Sequence, residues 1–427
     1  MMKSIIKTFS LIVIFLFILS VFGWMVSHIS SGNKKFGFLT EPVKFMYTFP
    51  DMFSKSVEEV KKTLPETFIK TPKNFKPVNK LDFDLKVLTT YSDTSNNRTI
   101  ALMNLKNDSV HYKWKLDRPF KVTDRIVNPI MFSNKDLVYS AMGKGKPLTR
   151  IDSLSNIIWK QDSVWVHHSM ELDAKGDIWA CTFAPVYYST AYYKLNGNSV
   201  FFKDNFITKF DAETGKILFH KSIAEILKEN DIANYVLKPS GSITDPLHLN
   251  DVEPALKTTP YYKKDDVFIS LRQPSLVLHY RPETNELIDV IEGPFVSQHD
   301  VDFLNDTTLI LFNNNYYTKW ANKSAPLPKD STRLIKIGDF YSNIVKYDLT
   351  DETFSSLGDS IFRENGIFTS TEGLQEFVND SAFFVEEQAV GLLWVLTEDE
   401  VIYKNVLKSQ HKGYHHLPNW TRIVDYE

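Results

Sequence analysis

The chain has 427 residues and a formal net charge of −3, with Lys, Arg, Asp and Glu interspersed along its length. No basic stripe able to grip a phosphate backbone is present, which excludes nucleic-acid binding as a main activity. The length allows a large core, and an aromatic content of 14%, with 31 Phe and 19 Tyr, suits a strand-rich protein.

Lys3 and Lys7 precede "TFSLIVIFLFILSVFGWMV", nineteen residues without a charge. That run is long enough to cross a bilayer as a helix. Residues 1–31 are therefore expected to form a signal-anchor, with the basic residues holding the N-terminus in the cytoplasm and the rest of the chain outside. Residues 32–85 read as a linker in which Gly, Lys and Pro are frequent, with one short amphipathic helix in "SKSVEEVKKTL". From residue 86 to 427 the pattern changes to short strands punctuated by turn residues, and one unit recurs. Its copies are "IALMNLKNDSVHYKWKL", "LTRIDSLSNIIWKQ", "ITKFDAETGKILFHKSI", "LVLHYRPETNELIDVIEG" and "NIVKYDLTDETFSSL", each a strand, an Asp, Asn, Gly or Pro turn and a second strand. They begin near residues 100, 148, 207, 276 and 343, intervals that fit propeller blades with insertions, and "SAFFVEEQAVGLLWVLTEDEVIYKNVL" supplies one more. The expected fold is all-β, a six-bladed β-propeller behind a transmembrane signal-anchor helix. Inside it "SIAEILKEN" is expected to be helical, because Ser222 and Glu225 form a capping-box pattern. The single cysteine, Cys181, allows no internal disulfide and is expected to pack as a small apolar residue.

Three histidines interrupt apolar strands in the same way. His168, His248 and His299 each have an acidic residue three positions later, Glu171, Asp251 and Asp302, followed by Leu172, Val252 and Phe303. None of the other eight histidines fits, and chance would produce the pattern for roughly one histidine in twenty. Equivalent positions of successive blades point into one funnel, so the three imidazoles are expected to converge there. The plainer reading is that they satisfy backbone groups where blades begin, at the cost of burying three polar rings. Neighbours in a strand face opposite ways, so with His168 in the funnel, His167 is expected to pack between blades. Arg272 ends the apolar strand of "VFISLRQ"; over a polar funnel it would bind an anion through its planar fork of donors. Tyr187, Tyr188, Tyr192 and Tyr193 follow the His168 strand. They either pack at a sheet edge or wall an aromatic pocket, with Tyr188 and Tyr192 as candidate substrate contacts.

Through "HHSMELDAKGDIW", "DPLHLNDV", "ISLRQ" and "QHDVDFLNDTTLILFNN", in that order, and a closing "LPNWTRIV", the sequence resembles the arylsulfate sulfotransferases that do not use the nucleotide sulfate donor. The resemblance runs from about residue 100 to about residue 350. It implies a six-bladed propeller acting in the periplasm, which moves a sulfuryl group from a phenolic sulfate ester to another phenol through a covalent histidine intermediate. Carried over by motif, His299 would be the nucleophile, His248 and Arg272 would bind the sulfuryl oxygens, and His168 would act on the phenolic oxygen; Asn314 is a further candidate substrate contact. The chemistry is coherent. A neutral imidazole is a competent nucleophile near pH 7, charge spread over the sulfuryl oxygens calls for fixed donors, and a phenolate of pKa about 10 needs only modest proton assistance. No nucleotide, flavin, haem, nicotinamide or metal cofactor is expected. The expected partners are an aryl sulfate donor, a phenolic acceptor and, through the N-terminal helix, the membrane. Two other readings stay open. One is a metal-dependent propeller hydrolase with His168, His248, His299 and Asp300 or Glu171 as ligands. The other is a tethered propeller that binds a ligand or partner without catalysis.

Overall fold

The first element is a helix, Met2–Ser30, apolar all round: Leu11, Phe15, Leu16 and Phe17 point in different directions and all are exposed. A helix with no polar face is at home only in lipid or a protein core, and the stretch Ile6–Ile29 is long and apolar enough to cross a membrane. Of the short helix expected in residues 54–64, residues 54–60 belong to a longer one, Thr40–Val60, which has Glu41 in its first turn and passes through Pro50, and residues 61–63 lie outside the described residues. The computed structural model describes residues 2–30, 36–60, 64–92, 97–116, 124–143, 145–183, 191–238, 242–316 and 340–424. It divides into two units, Met1–Pro65 and Glu66–Glu427.

The second unit is the expected six-bladed propeller, mostly β, each blade an antiparallel sheet; in blades 2 to 6 four strands run outward in chain order. Blade 2 contains Ile126–Met131, Leu137–Ala141, Leu148–Ile151 and Ile157–Gln161; blade 3 contains Trp165–Leu172, Ile178–Phe183, Phe206–Phe210 and Ile217–Ser222. Blade 4 follows with Leu249–Pro254, Val267–Leu271, Leu276–Arg281 and Glu286–Glu292, and blade 5 with His299–Asn305, Thr308–Asn313, Asn343–Asp348 and Thr353–Leu357. Blade 6 is Leu374–Phe377, Phe383–Glu387, Leu392–Leu396 and Val401–Val406. Blade 1 closes the ring: its innermost strand is Asn419–Ile423 from the C-terminal end, laid against Lys86–Ser92, Arg98–Asn104 and Ser109–Lys113. The innermost strands of consecutive blades touch all the way round. The recurring unit of the sequence is the outer hairpin of each blade, where turn chemistry is strongest.

Six apolar clusters hold the ring, one at each blade junction. Between blades 3 and 4, for example, Trp179, Cys181 and Ile207 meet Val252, Ile269 and Leu278; between blades 5 and 6, Ile310 and Phe312 meet Phe383, Val385 and Trp394. Stacked sheets bury both faces, so the second strands read as continuous apolar runs, and each fully buried large side chain contributes about 1.5–3 kcal/mol. Cys181 is completely buried, as expected. Ser222 caps the helix Ile223–Glu229, its hydroxyl accepting from Glu225 N at 3.0 Å. Residues 66–85, expected within the linker, belong to the propeller unit: Val78–Asn79 adds a fifth strand to blade 6, and Phe68–Lys70 pairs with Tyr414–His416.

The start of blade 6 is tight. Gly373 has φ +102°, and a Cβ there would lie 2.5 Å from the Phe312 ring. Gly373→Ala is expected to destabilise the full chain in detergent by about 2–4 kcal/mol in urea unfolding, from backbone strain plus overpacking; a change below about 0.5 kcal/mol would contradict this packing.

Candidate active site

Three innermost strands are kinked where the histidines stand. Pairing with the second strand slips between Val166 and Met170, between Leu249 and Asp251, and between His299 and Val301. At or beside each slip one residue is left-handed: His168 at φ +56°, His248, just before its strand, at +47°, and Asp300, just after His299, at +56°. His and Asp tolerate that conformation better than branched residues, and such bulges re-aim side chains at the rim of a sheet. The imidazoles converge, with the ring centre of His168 5.2 Å from His248 and 6.2 Å from His299. Arg272 joins them from the end of its strand. Its backbone N–H donates to His248 O at 3.1 Å, its Nη2 reaches Ser370 O at 3.5 Å, and its charge bears on His299.

Each ring has a partner for Nδ1. In His299 that atom lies 2.6 Å from Asn314 Oδ1 and 3.2 Å from Ser297 O. The Asn314 amide nitrogen donates to Thr369 O at 3.0 Å and Glu372 O at 2.6 Å, which fixes the end of the amide that faces the ring. With two oxygen acceptors beside it, Nδ1 carries the proton and Nε2 keeps its lone pair. Burial, with the Arg272 charge second, pushes this imidazole down to about 3, so it is neutral at pH 7. Both ends of the Asn314 amide are engaged with protein groups, the oxygen with the His299 ring and the nitrogen with two backbone carbonyls.

His248, partly exposed at the mouth, donates Nδ1–H to Asp245 Oδ2 at 2.7 Å. Burial pushes the Asp245 carboxyl up, but the His248 ring and Lys203 outweigh it and hold the group below its ordinary range. His168 Nδ1 lies 2.7 Å from His167 Nδ1. Burial first, then neighbouring rings and Lys203, keep both imidazoles well below their ordinary value and therefore neutral. The alternation that would send His167 away fails because the left-handed turn at His168 brings the two rings back together. The far side of His167 does pack: Phe183 stacks on it at 3.7 Å, and Lys203 Nζ sits 3.5 Å from the Phe183 ring centre. Trp420, from the ring-closing strand, meets His168 edge-on at 6.2 Å.

The acidic residues of the sequence pattern lie apart from this cluster. A cavity lined by Glu171, Asp300, Asp302, Gln375, Glu376 and Arg422 holds two of them, Glu171 and Asp302; its carboxylates suit linking blades and would repel an anion. Arg422 makes a two-pronged ion pair with Glu171, at 2.8 and 3.0 Å. Among the described residues, no group of three or more His, Cys, Asp or Glu side chains is arranged to hold a metal ion. Tyr187 and Tyr188 lie outside the described residues. Tyr192 stands on the hairpin Ala191–Leu195 and Asn198–Phe202, 57% exposed, its ring 5.9 Å from Phe201. Sequence reasoning missed Asp245, Phe183 and Trp420. Asp245 carried a usable signal, an acid three residues before a histidine; the other two reach the site from neighbouring strands and carried none.

The model of the arylsulfotransferase (ASST) family matches residues 128–406, a span that includes His168, His248, Arg272, His299 and Asn314. No curated protein matches the sequence. Among solved structures, the chain is similar to a protein of unknown function from Bacteroides caccae (9% identity, 78% of this chain and 97% of that one, TM-score 0.48). It is also similar to a streptogramin B lyase (12%, 78% and 87%, 0.35) and to the WD40 β-propeller domain of Doa1 (7%, 83% and 88%, 0.40).

With its imidazole pushed down to about 3, His299 is expected to stay neutral through the physiological range. Histidine NMR of the full chain in detergent, assigned with a His299→Gln variant, should show no titration of this ring between about pH 5 and 8; a midpoint near 6.5 would contradict the burial argument.

Proposed function

The chain belongs to the arylsulfotransferase family, and from that premise we propose that it transfers a sulfuryl group from an aryl sulfate to a phenolic acceptor through a sulfohistidine at His299. The observation that carries this reading is the locked tautomer of His299: Nδ1–H is held by Asn314 and Ser297, so the lone pair of Nε2 is free for attack. In the first transfer Nε2 bonds to sulfur while the S–O bond to the aryl group breaks and the phenolate leaves. In the second, the acceptor oxygen bonds to sulfur, the S–N bond breaks and His299 recovers its lone pair. Arg272 and His248 would steady the three sulfuryl oxygens, where charge concentrates in the transition state. His168 Nε2 would take the acceptor's proton and return it to a departing phenolate, which regenerates the site. The N-terminal helix supports a tethered protein with its propeller outside the cytoplasm, where sulfate esters from the surroundings can reach it.

The test uses the full chain in detergent with 4-nitrophenyl sulfate and phenol. Acceptor-dependent nitrophenol release is expected, His299→Ala should lower it at least about 10³-fold, and mass spectrometry should find the sulfuryl group on His299. Asn314→Ala should lower it about 10- to 100-fold, by analogy with the loss of other orienting partners. Release without acceptor that a chelator abolishes would instead indicate a metal-dependent hydrolase. A protein that binds aryl sulfates and never turns them over would be a binding propeller.

A further inference from the structure

The adjacent histidines of blade 3 carry an inference that rests on the sulfuryl-transfer reading. Their Nδ1 atoms are 2.7 Å apart. Two neutral imidazoles can approach that closely only if one nitrogen brings a proton and the other a lone pair, so the pair shares a single proton between these atoms. Side chains of neighbouring strand residues normally diverge. Here they meet because His168 is left-handed, at φ +56°, a conformation that persists only where its surroundings hold it. The surroundings are specific: His167 is 1% exposed, stacked on Phe183 at 3.7 Å with the planes 16° apart.

We propose that His167 is a positioning residue for sulfuryl transfer, its Nδ1 accepting Nδ1–H of His168 and so fixing His168 in the tautomer whose Nε2 can take a proton. The direction of the shared hydrogen bond decides what His168 can do. Donated from His168 to His167, it leaves the lone pair of His168 on Nε2, ready for the proton of an acceptor phenol. Donated the other way, it leaves a proton on Nε2 and no base. In the working direction His168 becomes an imidazolium as the acceptor oxygen bonds to sulfur, and His167, still neutral, stabilises it through the same hydrogen bond. The proton then leaves from Nε2 to the phenolate of the next donor, so no net proton is made or lost over a cycle. The charged and titratable groups bearing on the pair are Lys203, His248 and His299, which oppose the imidazolium, and Asp245, which favours it. The anionic sulfate ester adds to the favourable side when it binds.

Three forms of the full chain in detergent separate this role from a structural one: wild type, His167→Phe, which keeps a ring to stack on Phe183, and His167→Asn, which restores an acceptor at the Nδ1 position. Formation of the sulfo-enzyme from 4-nitrophenyl sulfate, a donor whose leaving group needs no proton, is expected within about twofold of wild type in both variants. Transfer from the sulfo-enzyme to phenol should slow about 10- to 100-fold in His167→Phe and largely recover in His167→Asn. The His167→Phe defect should shrink as pH approaches the phenol pKa of about 10, where phenolate needs no base. Equal losses in both half-reactions, or no recovery with Asn, would overturn the proposal. Nitrogen NMR of wild-type histidines reads the His168 tautomer even if a variant misfolds: Nδ1–H supports the proposal and Nε2–H overturns it. A wild type that forms no sulfo-enzyme would overturn the sulfuryl-transfer reading beneath it, and this inference with it.

Discussion

A left-handed residue in an innermost strand breaks the ladder of its own blade, and the backbone N–H groups released there are buried, so each must find an acceptor. In blades 4, 5, 6 and 1 an acceptor comes from the preceding blade. Ser169 of blade 3 accepts from Val252 N of blade 4, Asp251 of blade 4 from Val301 N of blade 5, and Asp300 of blade 5 from Gln375 N of blade 6. Glu376 of blade 6 accepts from Ile423 N of the ring-closing strand, and Glu386 from Trp420 and Thr421 of the same strand. The device that aims the histidines is therefore also the device that ties the blades around the axis. Loss of Asp251, for example, would take the side-chain acceptor from the buried N–H of Val301, two residues from His299.

The polar triplet Gln298, His299 and Asp300 shows how closely the two tasks are interleaved. Gln298 reaches back to blade 4, donating to Ser270 Oγ and to Leu271 O and Leu276 O. His299 faces the site, and Asp300 reaches forward to blade 6. Three consecutive residues thus fasten the blade on one side, present its histidine to the cluster and fasten it on the other. An apolar strand could do none of this, which explains why polarity appears where burial would favour the opposite.

Much of this could be read in the sequence, and what could not has a physical cause. Outer hairpins announce themselves because tight turns demand Asp, Asn or Gly at fixed places; the innermost strands, bulged and polar, read poorly as strands. The histidines were found because each stands at the irregular part of an innermost strand and is followed at the same spacing by an acidic and then an apolar residue. Their convergence followed from blade equivalence, but the meeting of His167 with His168 did not, because strand alternation assumes a regular pleat and one positive φ cancels it. The role of Asn314 was equally hidden. Its two backbone acceptors, Thr369 and Glu372, lie more than fifty residues downstream, and only the fold brings them to it.

The strand Asn419–Ile423 completes blade 1, supplies Trp420 beside His168 and lends Arg422 to Glu171. In chain order this strand follows every other strand of the propeller. Five blades can stack without it, yet His168 lacks its Trp420 neighbour and Glu171 its counter-ion until it docks. Closing the ring and completing the surroundings of the histidines are therefore a single event.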